Sequence, residues 1–222
     1  MKKSTYRTAT ARTKFGILLL AVGLIALPAI ARDDQLTTKR VEHQISVAQQ
    51  TQFEIRSGVG RIDLRYADQA YISVDVEFEG KSSGFLRRKR DVSTADIRIK
   101  ETRDSIELRF NEDNINANWV ITAPAFARSR IDLGVGSIHS DYFTGDMIVK
   151  LGVGDVDASL DSTQLKHFEA EVGVGGVNVN TIPNWVSERH IVSEKGTATG
   201  PGEHTFRVEV GVGDIRVRHV SP

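Results

Sequence analysis

Ser137, His139 and Asp141 supply the three residue types of a hydrolytic triad at two-residue spacing. That spacing fits a strand, in which side chains on one face lie about 6.8 Å apart. A nucleophile and its base need to approach to about 2.6–3.2 Å. The pattern therefore predicts a solvated polar strand face and no catalytic triad.

Glycine-rich stretches such as Gly173-Val-Gly175-Gly176 raise the question of phosphate binding. A dinucleotide site or P-loop needs a helix that begins after the glycines, or a Gly-Lys-Ser/Thr ending. Here Val177 and Val179 continue a strand-like alternation, and no Lys-Ser/Thr pair follows. We expect these glycines to shape the backbone and not to hold phosphate.

Aspartates that follow glycines, such as Asp155 and Asp214, resemble the ligands of calcium-binding β-rolls. Those rolls repeat every nine residues, about half the period found here. The equivalent positions also carry Arg61, Ser137 and Gly176, whereas oxygen ligands must recur to build such a site. The six histidines show no short zinc-ligand spacing. The sequence predicts no metal and no cofactor.

One run of positive charge stands out, formed by Arg87, Arg88, Lys89 and Arg90. Each basic residue near an anionic membrane contributes about 1 kcal/mol to binding. The run is a candidate contact for an anionic membrane surface or an acidic polysaccharide. The alternative is a solvated loop between two strands.

The strands that must position the candidate residues are built around five Gly-Val-Gly units. Their glycines are Gly58 and Gly60, Gly134 and Gly136, Gly152 and Gly154, Gly173 and Gly175, and Gly211 and Gly213. Apolar residues alternate with strand period on both sides of each unit. In the last unit the apolar parity runs from Phe206 to Val212 and then flips at Ile215. Such a flip moves the apolar set to the opposite face, so we expect a structural corner at each glycine pair.

The spacing of the units predicts the architecture. Successive first glycines lie 76, 18, 21 and 38 residues apart, near multiples of 19, and we expect degenerate copies within residues 70–123 and near 192–196. We predict one all-β domain, a β-solenoid or two-layer β-sandwich-like stack of short strands with glycine corners. Residues 36–123 are expected to be sandwich-like and residues 124–220 to form the Gly-Val-Gly repeat part.

Outward positions after the glycines form a second candidate surface. If the units stack, these residues lie about 4.8 Å apart from one strand to the next. They are Asp63, His139, Asp157, Asn178 and Arg216. Their mixed identities favour an interaction surface over a repeated ligand site.

The repeated apolar strand followed by Gly-x-Gly-[Asp/Ser]-Ile/Val-x-Val resembles the bacterial putative-adhesin β-strand-repeat family, a domain of unknown function. The strand Trp119-Val-Ile-Thr-Ala-Pro124, which precedes four closely spaced units, fits the same family. The resemblance covers roughly residues 40–220. It implies an all-β solenoid or sandwich outside the cytoplasm and assigns no catalytic residue.

The N-terminus has the pattern of a secretory signal peptide over residues 1–31. Basic residues precede an apolar run from Phe15 to Leu27, and Ala29-Ile30-Ala31 is an A-x-A cleavage site. We predict export, to the periplasm first and to the cell surface or medium as alternatives. An uncleaved anchor is the competing interpretation, although the run is shorter than the roughly 20 residues that span a bilayer.

Composition narrows the function. The chain has 29 basic and 29 acidic residues, and loss of residues 1–31 removes five basic residues only, so nucleic acid is excluded as a partner. The absence of cysteine excludes disulfides and thiolate chemistry. We predict an exported, non-catalytic binding, adhesion-like or scaffold module of the envelope. Its partner would be an envelope protein, a polysaccharide or an anionic membrane surface.

Two alternatives to this prediction stay open. One is a polysaccharide-active β-solenoid enzyme, which would need two carboxylates about 5–9.5 Å apart. The other is an envelope-sensing regulatory protein.

Overall fold

Most of the described chain is extended strand. The computed structural model describes residues 36–48, 51–83 and 88–220. The first strands are β1 (Thr38–Ser46), β2 (Gln52–Tyr66), β3 (Tyr71–Gly80), β4 (Ser82–Ser83), β5 (Arg88–Lys89), β6 (Arg98–Glu101), β7 (Ser105–Phe110) and β8 (Ile115–Ala123). The remaining strands are β9 (Arg128–Ser140), β10 (Asp146–Leu160), β11 (Leu165–Asn180), β12 (Val186–Arg189), β13 (Glu194–Thr199) and β14 (His204–His219).

Helical structure in these ranges is limited to one 3-10 turn, Ser162–Gln164, capped by the Asp161 side chain. The all-β prediction is therefore confirmed. No helix within the described ranges has the length and apolar character needed to cross a membrane. The predicted signal peptide, residues 1–31, lies outside the described residues.

Twelve strands form one sheet in the order β1-β3-β8-β2-β9-β10-β14-β11-β13-β12, with β7 paired to β2 and β6 to β7. β4 and β5 form a separate two-stranded sheet. The chain from Gln35 to Pro222 clusters as one compact unit.

The five strands that contain a Gly-Val-Gly unit lie side by side and parallel, in the order β2, β9, β10, β14, β11. Their glycines are in register: Gly60 faces Gly136, Gly136 faces Gly154, and Gly213 faces Gly175. The last strand of the chain, β14, lies between β10 and β11. Spatial order therefore differs from chain order.

Burial changes parity across each glycine pair. In β9 the buried residues are Ser129, Ile131 and Leu133 before the pair, and Ile138 and Ser140 after it. β2, β10 and β14 show the same change. Each of these strands therefore buries opposite sides of its chain in its first and second halves.

Two neighbours of the stack depart from the repeat. β7 pairs with the first half of β2 and β8 with the second half, so residues 111–114 replace a glycine unit between them. This is a degenerate copy within residues 70–123, as expected. Residues 194–199, in contrast, form β13, which runs antiparallel to the first half of β11. The copy expected near residues 192–196 is therefore not a parallel repeat.

The interior between the strand halves is apolar and aromatic. Phe168 and Phe206, on neighbouring strands, stack with ring centroids 5.6 Å apart. Two of the buried polar side chains are hydrogen-bonded: the Trp119 Nε1–H donates to Ser57 Oγ at 3.1 Å, and the Tyr142 hydroxyl donates to the Pro124 carbonyl at 2.9 Å. The core is thus held together by apolar packing, ring stacking and these buried hydrogen bonds.

Candidate functional site

The second glycine of each unit has a backbone conformation that other residues rarely adopt. The φ angles are 142° at Gly60, 142° at Gly136, 133° at Gly154, 141° at Gly175 and 140° at Gly213. A Cβ atom at Gly136 would lie 1.7 Å from the Gly60 carbonyl oxygen. Both the φ angle and the close approach of the neighbouring strand require glycine here.

The first glycine of four units is also packed against the backbone of a neighbouring strand, and Gly58 of the remaining unit is packed against the Asn111 side chain. A Cβ at Gly134 would lie 2.5 Å from the Gly58 oxygen, and one at Gly152 would lie 2.5 Å from the Gly134 oxygen. The two glycine rows thus leave two lines across the sheet that carry no side chains.

Between these glycine rows runs a line of exposed valines, which we call the valine ridge. It consists of Val59, Val135, Val153, Val212 and Val174, with exposed fractions of 39, 46, 47, 46 and 48%. The five residues are in register on adjacent parallel strands, about 4.8 Å apart. The parity of the sequence placed Val212 with the buried residues, and the structure exposes it, because the buried side of β14 changes across Gly211 and Gly213.

An open groove of about 1070 Å³ follows the first glycine row. Its wall includes one outward residue from each of six adjacent strands, which we call the charged row. In spatial order from β7 to β11 it reads Arg109, Arg56, Asp132, Lys150, Glu209 and Glu171. Both signs are present, so the groove is not a general site for anions or cations.

Ion pairs hold these side chains in place. Arg56 Nε lies 2.6 Å from Glu54 Oε1, and this hydrogen bond raises the pKa of Arg56. Lys150 Nζ lies 2.6 Å from Glu209 Oε2, and that hydrogen bond is the main cause of the lowered pKa of Glu209. All four groups are partly solvated, so each pair contributes at most about 1 kcal/mol to stability.

On the other side of the valine ridge, aspartates that follow the glycines bind the next strand. Asp155 Oδ1 accepts the Asp214 N–H at 3.1 Å, and Asp214 Oδ1 accepts the Gly176 N–H at 3.1 Å. The role of these residues in the repeat is therefore a lateral hydrogen bond. Within the ranges that the structure describes, no cluster of three potential metal ligands occurs.

Farther from the glycines lies the polar ladder predicted from the sequence. Asp63, His139, Asp157, Arg216 and Asn178 occupy adjacent strands in this order, in register. Arg65 pairs with Asp63 at 2.6 Å and Arg218 with Asp157 at 3.5 Å. The structure thus brings all five predicted residues together in one line across the sheet.

Strand spacing predicted that Ser137, His139 and Asp141 lie too far apart to contact one another, but His139 and Asp141 do make contact. His139 Nε2 lies 3.3 Å from Asp141 Oδ2. β9 ends at Ser140, and the Asp141 N–H donates to the Leu64 carbonyl at 3.0 Å, so strand spacing no longer applies to Asp141. Among the described contacts, none joins Ser137 to this pair.

The basic run lies on and beside the short strand β5. Arg88 and Lys89 pair with Ser83 and Ser82, and Arg87 lies outside the described residues. Lys89 and Arg90 are exposed, and the Arg90 N–H donates to the Lys81 carbonyl at 3.0 Å. Lys89 and Arg90 therefore expose two of the four positive charges beside the two-stranded β4–β5 sheet.

Carboxyl groups with a shifted pKa all shift in one direction. These groups are Glu79, Asp96, Asp161, Glu169, Glu194 and Glu209, and the pKa of each is lowered. For Glu169 the main cause is the hydrogen bond from Lys195. A glycosidase general acid requires the opposite shift, which keeps the carboxyl protonated near neutral pH.

The chain matches no protein-family model, and it matches no curated protein sequence. Among solved structures it is similar to a “putative cell adhesion protein” from Clostridium sporogenes, with 13% identity and a TM-score of 0.48 over 82% of this chain and 100% of the other. It is also similar to a “putative adhesin” from Parabacteroides distasonis, with 10% identity and a TM-score of 0.29 over 82% of this chain and 97% of the other. A “putative adhesin” from Bacteroides fragilis shows 12% identity and a TM-score of 0.24, covering 81% and 97%.

Proposed function

We propose that this chain is an exported, non-catalytic binding module of the cell envelope, adhesion-like in role, whose polar ladder binds an extended polysaccharide. The observation that carries the proposal is the register of the five parallel strands. It places Asp63, His139, Asp157, Arg216 and Asn178 in one straight line at about 4.8 Å intervals.

This line suits a linear polymer with hydroxyl groups. Carboxylates, an imidazole, a guanidinium and an amide provide donors and acceptors in alternation along about 19 Å, four strand spacings. A polymer laid across the strands would meet one polar side chain for each strand. An anionic surface alone is a weaker match, because Asp63 and Asp157 would repel it.

The architecture proposed for this surface is a β-solenoid-like stack in which the glycine pairs act as corners. Two features support it: the burial parity changes at the glycine pairs of β2, β9, β10 and β14, and the second glycine of each unit has a φ angle between 133° and 142°. A corner lets one strand contribute to two layers around the same core. That arrangement makes the ladder stiff, because its residues belong to a packed sheet and not to loops.

The non-catalytic part of the proposal is supported by the carboxyl groups. The lowered pKa of Glu169 and Glu209 keeps them ionised, and Lys195 and Lys150 occupy their oxygens. Such carboxylates are poor proton donors. Export is proposed from residues 1–31, and N-terminal sequencing of the protein from fractionated cells should find Arg32 as the first residue.

The binding test uses polysaccharide isolated from the envelope of the producing cells and protein purified from their exported fraction. Asn178→Ala and Asp157→Ala should each weaken binding several-fold, because each removes one polar contact. The matched control is Gln44→Ala, which removes an exposed amide on β1, at the far edge of the sheet. Equal binding by all variants, or no binding by the natural protein, would disprove the proposal.

A second readout separates binding from catalysis. The same polysaccharide is incubated with the protein, and new reducing ends are counted. We expect none above the buffer control. Reducing ends that appear with the natural protein and are lost with Asp157→Ala would instead establish the polysaccharide-active enzyme.

A further inference from the structure

The valine ridge and the charges beside it form a surface distinct from the polar ladder. We propose that this surface binds a second copy of the chain, ridge against ridge and antiparallel, to form a weak two-fold symmetric dimer. The proposal rests on the order of charges across six strands, and it does not depend on polysaccharide binding.

The charged row is complementary to its own reverse. From β7 to β11 its signs are plus, plus, minus, plus, minus, minus. In an antiparallel partner each residue meets an opposite charge: Arg109 faces Glu171, Arg56 faces Glu209, and Asp132 faces Lys150. A two-fold axis between β9 and β10 produces all three pairs twice, as an isologous interface requires.

The residues that follow the second glycine repeat this relation on the other side of the ridge. β8 takes the place of β7 beside the second half of β2, and its Asn118 begins the row. From β8 to β11 the row reads Asn118, Arg61, Ser137, Asp155, Asp214 and Gly176. The same axis places Arg61 opposite Asp214 and Ser137 opposite Asp155. The charged row and the row after the second glycines differ in sequence, and both are complementary in the same antiparallel orientation and at the same register of the partner copy.

The ridge itself supplies the apolar contact between these rows. The same axis places Val135 opposite Val153, and Val59 opposite Val212. These side chains are 39–47% exposed and flanked by glycines, so no neighbouring side chain blocks a facing surface. Burial of such β-branched residues is favourable in proportion to the apolar area removed from water.

Other occupants fit less well. In a parallel dimer the charged row would meet the other row, which sets Arg56 against Arg61 and Glu209 against Asp214. An anionic membrane would be repelled by the acidic half of the surface, where Asp155 and Asp214 lie. The antiparallel second copy is the arrangement without like-charge contacts among these residues.

The surface over which the charges are complementary, which we call the strip, is short, and its length limits the expected affinity of the dimer. The next positions along the charged row are Arg98 and Lys195, which would oppose each other, so the strip ends after six strands. Six strands span about 24 Å, and the strip is only a few side chains wide. Stable interfaces bury about 800 Å² per partner, so we expect a dimer that forms at high protein concentration and dissociates with salt.

Sedimentation velocity over a range of concentrations tests the proposal on protein purified after export. The natural protein should change from monomer to dimer as concentration rises at low salt. Val153→Lys should remain monomeric throughout. Val120→Lys is the matched control, since Val120 is 39% exposed on β8 but lies away from the ridge. A monomeric natural protein, or a Val153→Lys variant that still dimerises, would overturn the proposal.

A charge cycle tests the register. Arg61→Glu should raise the dissociation constant roughly tenfold, because Glu at 61 would face Asp214 twice. Asp214→Asn keeps an oxygen for the Gly176 N–H and should have a smaller effect. The double variant Arg61→Glu with Asp214→Asn should dimerise more tightly than Arg61→Glu alone. No recovery in the double variant would exclude this register.

Orientation is measured with a spin label, for which the cysteine-free chain is well suited. A label at Asn118→Cys lies on β8, at one end of the strip. In the antiparallel dimer the partner's label lies at the other end, roughly 24 Å away along the ridge. Labels that lie much closer together, at the same end of the strip and on opposite sides of the ridge, would instead establish the parallel arrangement and refute the antiparallel one.

Discussion

Gly136 and Gly60 face each other on β9 and β2, and a Cβ atom on Gly136 would lie 1.7 Å from the Gly60 carbonyl oxygen. The same close approach recurs on the next strands of the sheet. A Cβ on Gly154 would lie 1.7 Å from the Gly136 oxygen, and one on Gly213 would lie 1.8 Å from the Gly154 oxygen. Each second glycine is therefore required by its neighbour as well as by its own φ angle.

Replacement of Gly154 by Ala should strongly destabilise the protein. The residue has φ +133°, and its Cβ would clash with backbone, which cannot move without shifting β9. We expect a loss of roughly 3 kcal/mol or more in the free energy of unfolding, measured by urea denaturation.

The control for that variant is Gly176→Ala. The atom nearest to a Cβ at Gly176 would be Arg189 Nη2, at 3.1 Å, the end of a side chain; Asp214 Oδ1 at 3.7 Å and Glu194 Oε2 at 4.0 Å are in ordinary contact. The Gly176→Ala change should lower the free energy of unfolding by less than about 1 kcal/mol. Similar losses for both variants would show that the glycine rows are not the sensitive feature.

The hydrogen bond from Trp119 to Ser57 should be worth more than its surface equivalents, because both residues are buried. Ser57→Ala leaves the Trp119 N–H without its acceptor, at a cost of about 1–3 kcal/mol. In a Trp119→Phe background the donor is absent, so the same Ser57→Ala change should cost clearly less. A double-mutant cycle by chemical denaturation measures the difference, and additive effects would refute the coupling.

Asp214 should stabilise the stack through its side-chain oxygen and not through its charge. Asp214→Ala removes the acceptor of the Gly176 N–H and should cost about 1 kcal/mol. Asp214→Asn retains an oxygen at the same place and should recover most of that loss. Thermal unfolding of the two variants at one protein concentration compares them; equal melting temperatures would argue against the lateral hydrogen bond.

Glu194 should make stability depend on acidic pH. Burial alone would raise its pKa, but hydrogen bonds from the Val177 N–H and from Arg189 outweigh burial, and the pKa is lowered. A lowered folded-state pKa means that the stabilisation is complete above the unfolded value, about 4.3, and is lost as pH falls through the folded value.

Glu194→Gln should therefore lower the free energy of unfolding by about 1–2 kcal/mol at neutral pH, since the charged pair with Arg189 is lost. The difference from the natural protein should shrink as pH falls below about 4. Denaturation curves at several pH values provide the measurement. A difference that is constant with pH would show that the charge of Glu194 has no role.

Much of the arrangement could be predicted from residue types and parity. The alternation around Gly211 and Gly213 predicts two strand halves with opposite buried sides, and the burial of Val210 and Ile215 shows this parity change. The alignment of Asp63 with His139 was predictable for the same reason, since both follow a glycine pair by the same number of residues.

Other features depend on information that the repeat does not contain. All glycine strands offer similar edges, so the repeat could not predict that β14 lies between β10 and β11. The exposure of Val212 was missed because parity counting assumes a straight strand through the unit. The approach of His139 to Asp141 was missed because β9 ends at Ser140, and strand spacing does not describe the residue after it.

The common register of the parallel strands has a consequence for how such a chain can evolve. The three inner Gly-Val-Gly strands, β9, β10 and β14, make the same kind of contacts with both neighbours, so gain or loss of one such strand would leave the remaining strands able to pair. A deletion of one residue inside β10 would instead misalign Gly152 or Gly154 with two neighbours at once. Variation in length by complete strands is therefore tolerated far better than variation by single residues.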